Sequence, residues 1–136
     1  MVPIVREIHL DVNSLAVGKL GVIEFKTLPF QPKRIYWLSE VPAGVERGHH
    51  AHKQLTQLMC VPSGSVDVDI YEGRKVSSYH LDSSSPALLL KPGLWRELKN
   101  FQMGTTVLVL CDEIYLEEDY IRDYQIYLDW FSNHND

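Results

Sequence analysis

Gly44-Val45-Glu46-Arg47-Gly48-His49-His50-Ala51-His52, with Gln57 and Gly64 downstream, is the stretch that decides how this 136-residue chain is read. Its spacing is G-x5-H-x-H-x4-Q-x6-G. Side chains two apart on an extended strand share a face. His50 and His52 therefore project together, while His49 and Ala51 project to the other side. Two neighbouring imidazoles suit one of two tasks. They can begin a metal site, or they can accept and donate protons near neutral pH.

The spacing resembles the first signature of the cupin barrel, with Gln57 where metal-binding cupins carry glutamate. A second block, Pro92-Gly93-Leu94-Trp95-Arg96-Glu97-Leu98-Lys99-Asn100, follows the second cupin motif in part, with Arg96 in the place of its histidine. The resemblance implies an all-β jelly-roll barrel of antiparallel strands, one domain over residues 1–136, with a short C-terminal helix. Two of the usual four ligands are replaced. Gln57 is a weak, neutral ligand and Arg96 is itself a cation. Like charges ~4 Å apart cost about 4 kcal/mol at an effective dielectric of 20. No metal is expected, and acid–base chemistry on an organic substrate is the reading that remains.

The rest of the chain fits many short strands. Ile4–Leu10 alternates apolar and polar residues, as a half-buried strand does. Val22–Phe25 and Arg34–Leu38 are β candidates, punctuated by Pro29, Pro32 and Pro42. Gln57–Val61 ends at the turn signal Pro62-Ser63-Gly64. Val66–Tyr71 alternates and turns at Glu72-Gly73-Arg74 into Lys75–Leu81. Ala87–Leu90 and Thr105–Cys111 read as buried strands. Strands at roughly ten-residue intervals suggest a sandwich or barrel. Glu117–Phe131 is expected to be helical, with Tyr120, Tyr124, Tyr127 and Phe131 along one face.

Composition narrows the function. A formal net charge of −5 argues against a general nucleic-acid binder. The start, Met1-Val2-Pro3-Ile4-Val5-Arg6-Glu7, is too polar for a signal peptide. No apolar run approaches the ~20 residues of a membrane span, so the expected location is cytoplasmic. Cys60 and Cys111 sit in apolar runs and read as buried free thiols. Basic residues nevertheless gather near the histidines: Arg34, Arg47 and Lys53 suggest an anionic ligand such as a diphosphate.

Arg34-Ile35-Tyr36-Trp37, Arg47-Gly48-His49-His50-Ala51-His52-Lys53, Pro92-Gly93-Leu94-Trp95 and the tail Tyr115-x4-Tyr120-Ile121-Arg122-Asp123-Tyr124 resemble the dTDP-4-keto-6-deoxyglucose 3,4-ketoisomerases. These are small metal-free cupins related to RmlC-type epimerases. The resemblance runs from about Val5 to Trp130. It implies a dTDP-linked sugar substrate, no cofactor, and a homodimer that exchanges N-terminal strands. The keto group would move from C4 to C3 through an enediol. His50 and His52 would carry the protons, and spacing does not say which is the essential base. Tyr36 would orient a sugar oxygen and Arg96 would stabilise the enediolate. Arg34, Arg47 and Lys53 would hold the diphosphate.

Two positions depart from the pattern. Many members carry R-G-x-L after the first strand, where this chain has Val17-Gly18-Lys19-Leu20. Many also have histidine where this chain has Arg96. Both positions, Val17 and Arg96, are expected near the sugar, and Arg96 favours the gluco product. An RmlC-type epimerase and a non-catalytic sugar-nucleotide-binding cupin are the alternatives.

Overall fold

In the computed structural model, residues 4–134 are described, so Met1–Pro3 of the polar start lie outside that range. The chain runs through β1 (Arg6–Ile8), β2 (Asp11–Leu15), β3 (Gly18–Val22) and a 3-10 turn (Phe25–Thr27). It continues with β4 (Arg34–Ser39), β5 (Arg47–His52), β6 (Gln57–Ser63), β7 (Ser65–Glu72) and β8 (Lys75–Asp82). Then follow β9 (Ala87–Leu90), β10 (Leu94–Lys99), β11 (Thr106–Cys111), a 3-10 turn (Glu117–Asp119), β12 (Tyr120–Ile121) and α1 (Tyr124–His134). Two five-stranded antiparallel sheets form, in the orders β1-β9-β6-β11-β4 and β12-β5-β10-β7-β8, while β2 and β3 pair only with each other. This is the all-β jelly-roll barrel that the sequence implies.

Period-two patterning builds the interior. On β7, Val66, Val68 and Ile70 are buried and Asp67 and Asp69 turn outward. Leu88 and Leu90 of β9, Leu94 and Leu98 of β10, and Val107 and Val109 of β11 join the same core. Each fully buried aliphatic side chain there contributes roughly 1.5–3 kcal/mol of transfer free energy. The outer face of the second sheet is covered by α1, where Tyr127 and Leu128 pack on Ala51, Trp95 and Ile121. The Tyr127 hydroxyl accepts the Gly73 N–H at 3.0 Å and donates to the Gly93 carbonyl at 2.7 Å. Gly93 in turn donates its N–H to the His52 carbonyl at 2.8 Å, so the helix steadies the end of β5.

Gly64 closes the first signature for a steric reason. Its φ is 74°, and a Cβ there would lie 2.2 Å from Thr105 Oγ1. That hydroxyl accepts the Ser65 N–H at 3.0 Å, so the β6–β7 turn and the segment before β11 are locked together.

Three expectations need correction. The N-terminal strand is shorter than expected: of Ile4–Leu10 only Arg6–Ile8 is strand, paired with β9, and a hairpin over residues 11–22 follows it. Val22–Phe25 is not a strand, because β3 ends at Val22 and a 3-10 turn starts at Phe25. The helix begins at Tyr124, not Glu117. Asp123 caps it, its Oδ1 accepting the Ile126 N–H at 3.0 Å, and Tyr120 belongs to β12 instead. Cys60 and Cys111 are buried free thiols, as expected.

Candidate active site

A β-bulge on β5 sets the site. Arg96 of β10 pairs with His50 and Glu97 pairs with Gly48, so His49 is the extra residue. Gly48 and His49 both take positive φ, 85° and 56°. Directly paired residues of an antiparallel ladder share a face. His50 therefore faces inward with Arg96, and Arg47 faces inward with its partner Leu98. Without the bulge Arg47 would point outward with His49 and Ala51. His49 does face outward and pairs with Glu46 at 2.9 Å.

The hydrogen bonds fix both imidazole tautomers. His50 Nδ1 lies 3.1 Å from the Gly48 carbonyl, which can only accept, so Nδ1 carries the proton. His52 Nδ1 lies 3.0 Å from Oδ2 of Asp119 and likewise donates. In both rings Nε2 keeps its lone pair and meets no partner among the described residues. The rings stand edge to face with centroids 4.9 Å apart. Tyr120, opposite His52 on β12, leans on both, with centroids 5.0 Å from His50 and 4.3 Å from His52.

Facing this pair is a cross-strand row of the other sheet. Cys111 pairs with Arg34 on one side and with Gln57 on the other. Gln57 Oε1 accepts a short hydrogen bond from Arg96, and Gln57 Nε2 lies 3.4 Å from both the Tyr36 hydroxyl and Cys111 Sγ. Arg96 is 1% exposed. Its other hydrogen bond among the described residues is to the Leu94 carbonyl at 3.3 Å, and its Nε has none there. A buried charge of this kind costs several kcal/mol unless something compensates it. Packing does not account for it.

Some of these groups open onto a cavity of about 440 Å³. Tyr36, His50, Arg96, Arg34 and Arg47 line it, joined by Arg122 and by Tyr115 and Tyr120. Met59, Val109, Leu38 and Leu98 supply an apolar wall. Four arginines thus meet in one cavity of a protein with net charge −5. Such a site is built for an anionic ligand with an apolar or ring-shaped part.

Comparison with known proteins gives this geometry its context. Residues 5–132 match the family described as FdtA: WxcM-like, C-terminal. The TDP-4-oxo-6-deoxy-alpha-D-glucose-3,4-oxoisomerase of Aneurinibacillus thermoaerophilus is 32% identical over 116 residues, 85% of this chain and 84% of that one. The chain belongs to this 3,4-ketoisomerase family. Among solved structures, a histidine-to-asparagine variant of the 3,4-ketoisomerase QdtA from Thermoanaerobacterium thermosaccharolyticum, in complex with TDP-4-keto-6-deoxyglucose, superposes with a TM-score of 0.92. It is 33% identical and each chain is covered to 99%. The WlaRB TDP-quinovose 3,4-ketoisomerase of Campylobacter jejuni is 32% identical, with a TM-score of 0.83 over 92% of this chain and 97% of that one.

Within this family member, burial and the Arg96 guanidinium hold both imidazoles well below their ordinary range, His50 at about 3 and His52 at about 2. Both are therefore neutral bases at neutral pH. Arg122, by contrast, is already paired. Its guanidinium bonds Glu117 at 2.8 and 2.9 Å, and Tyr115 donates a short hydrogen bond to the same carboxylate.

The expected site residues separate by position. Tyr36, His50, Arg96, Arg34 and Arg47 share the cavity. His52 is fully buried beside it, behind Tyr120 and His50. Lys53 follows the last residue of β5, is exposed, and is not on the lining. Val17 sits in the turn of the β2–β3 hairpin, 93% exposed and away from this cavity. Sequence reasoning missed Asp119, Tyr120 and Arg122 as site residues. The N-cap signal at Asp123 would have freed residues 117–121 from the helix and pointed to them.

Proposed function

We propose that this chain is a TDP-sugar 3,4-ketoisomerase that converts TDP-4-keto-6-deoxyglucose to the 3-keto isomer. One observation carries the reading: His50, with an unpaired basic Nε2, lines the same cavity as the buried, carboxylate-free Arg96. A base beside a cation is what enolisation next to a ketone needs.

The steps balance without an outside redox partner. His50 Nε2 takes the proton from C3, which the C4 ketone acidifies. The electrons of that C–H bond form the C3–C4 double bond, and the C4 oxygen becomes an enediolate. Arg96 stabilises that oxygen. Reprotonation at C4, with loss of the O3 proton, leaves the ketone at C3. C3 is oxidised and C4 is reduced by the same two electrons. A base held near pKa 3 is weak in the free protein. The diphosphate and the enediolate bring negative charge against the arginines, which restores basicity when it is needed. His52, backed by Asp119, serves as proton relay behind His50. Tyr36 orients a sugar oxygen, and Arg34 and Arg47 take the diphosphate. The gluco configuration at C4 is the favoured product, in line with the TDP-quinovose relative.

The working unit is a homodimer. The β2–β3 hairpin pairs with no other strand and exposes Val12, Leu15, Val17 and Leu20, a poor ending for an isolated chain. Exchange of this arm would cover those side chains and bring Val17 to the partner's cavity. Residues 1–136 are read as one cupin domain.

Incubation with TDP-4-keto-6-deoxyglucose in deuterium oxide tests the reaction. The product should show its ketone at C3 and deuterium at C4. A ketone that stays at C4, with or without inversion at its neighbours, rejects the isomerase reading.

A further inference from the structure

We propose that Gln57 is a positioning residue that holds Arg96 in place while leaving its positive charge uncancelled, so that the charge is offered to the ligand. The effect on turnover rests on the ketoisomerase reading above. The charge relationship itself does not.

Gln57 is completely buried, and its Oε1 accepts from the Arg96 guanidinium. The only other acceptor on Arg96 among the described residues is the Leu94 carbonyl. Both are neutral. Proteins normally match a buried guanidinium with a carboxylate, because an unpaired buried charge is expensive. Glutamate has the shape and reach of glutamine. At position 57 it would make a buried ion pair with Arg96 and stabilise the resting protein. The chain instead carries the one near-isosteric residue that keeps the hydrogen bond and forgoes the neutralisation. Strain of this sort, concentrated at a cavity, is characteristic of functional sites.

The consequence reaches the imidazoles. His50 is the ladder partner of Arg96. After burial, Arg96 is the largest influence depressing the basicity of both His50 and His52. The other ionisable groups around them are Arg34 and Tyr36 on β4, Cys111 on β11, Tyr115, Glu117, Asp119 and Tyr120 of the tail, Arg122, and His49 on the outer side. Gln57→Glu leaves every one of these side chains in place, although it removes the Nε2 donor that meets Tyr36 and Cys111. Its main effect on the imidazoles is whether Arg96 faces them as a bare cation or as half of an ion pair.

The test compares Gln57→Glu with Gln57→Met. Glutamate keeps an acceptor for Arg96 but cancels its charge. Methionine loses the acceptor and keeps the charge. We expect Gln57→Glu to melt no lower than the parent and to lose about 10²-fold in kcat, the scale of removing one transition-state charge contact. Gln57→Met should lose no more than about tenfold, since its defect is positional. That order is the reverse of what simple anchoring predicts. Independently of any substrate, imidazole proton resonances followed by NMR should show the His50 and His52 titrations moving up by at least about one pH unit in Gln57→Glu. The proposal is overturned if Gln57→Glu retains turnover within about threefold of the parent, or falls no further than Gln57→Met. Unmoved imidazole titrations overturn it as well. Should Gln57→Glu fail to fold, a Gln57→Met protein as inactive as His50→Asn overturns it equally. A parent protein that does not move the ketone rejects the isomerase reading instead, and the imidazole titrations then decide the charge question alone.

Discussion

Asp119 holds His52 from the far side of the chain: its Oδ2 lies 3.0 Å from His52 Nδ1, and its Oδ1 accepts the Gln54 N–H at 2.7 Å. The carboxylate is thus pinned by backbone while it fixes one imidazole tautomer. A neutral partner would hold the ring less surely and would not favour the imidazolium form during proton transfer. Asp119→Asn is expected to lower kcat by about 10- to 10²-fold and to leave TDP affinity within about threefold of the parent. Steady-state kinetics and calorimetric titration with TDP check the split. Equal loss in both would place Asp119 in ligand binding.

The two histidines divide by access. His50 lines the cavity and His52 lies behind it, fully buried. His50→Asn should lower turnover by about 10²-fold or more, as loss of an acid–base group does. Deuterium exchange at C3 should vanish with it. His52→Asn should also slow turnover but keep measurable exchange at C3, because the group that touches the carbon is still there. Single-turnover exchange followed by NMR separates the two. Full activity in both variants would sink the assignment.

Acid should destabilise this protein more than its carboxylates alone require. Free imidazoles titrate near 6.5, while folding holds His50 at about 3 and His52 at about 2. Between those values the unfolded chain binds more protons than the folded one. Stability therefore falls as pH drops below about 6.5, by up to ~1.4 kcal/mol per pH unit for each imidazole. Urea unfolding from pH 7 to pH 4.5 measures the slope, and His50→Asn should flatten it. For the same reason kcat/KM should show no acid limb between pH 6 and 7, since the free protein's base is already deprotonated there. A limb near 6.5 would mean an imidazole of ordinary basicity.

Chelation should do nothing. Arg96 occupies the corner from which a fourth ligand would come, and its charge opposes a cation beside His50. Turnover after dialysis against EDTA is expected to match the untreated protein. Loss of activity with rescue by a divalent ion would contradict the acid–base reading.

How far the sequence could be read depended on how local the signal was. Ala87–Leu90 was legible as a short apolar run that is nearly all buried, and Arg34–Leu38 by its aromatic and aliphatic side chains, which the structure shows alternating in exposure. The cupin spacing announced the inward pair, and Arg96 announced itself by standing where a histidine is usual. The bulge was not legible. It exists only as a mismatch in pairing between β5 and β10, and no period in one strand encodes it. The same holds for Tyr120–Ile121, two residues that are a strand only because His52 and Ala51 lie opposite. The aromatic spacing of Tyr120 with Tyr124 and Tyr127 mimicked a helix face, and tertiary pairing overrode it. Val17, expected near the sugar, instead stands exposed in the turn of the β2–β3 hairpin.

Gly48 tests whether the bulge, and not the residue types alone, assembles the site. At φ 85° a side chain is strained, and a Cβ would stand 2.9 Å from the Arg96 carbonyl and 3.2 Å from Leu98 Cδ1. Relief requires β5 to move away from β10, which carries His50 and Arg47 with it. Gly44 is the control: its φ is 82°, but a Cβ there meets nothing within 4 Å. Each alanine substitution should cost about 1–3 kcal/mol through backbone strain. Only Gly48→Ala should also displace His50, the proposed base, and displacements of ~1 Å cost about 10²-fold in rate. Thermal melts paired with turnover therefore distinguish the two. Gly44→Ala should lose stability and keep kcat, whereas Gly48→Ala should lose both. If Gly48→Ala folds and turns over like the control, the ladder mismatch at His49 does not set the reacting geometry.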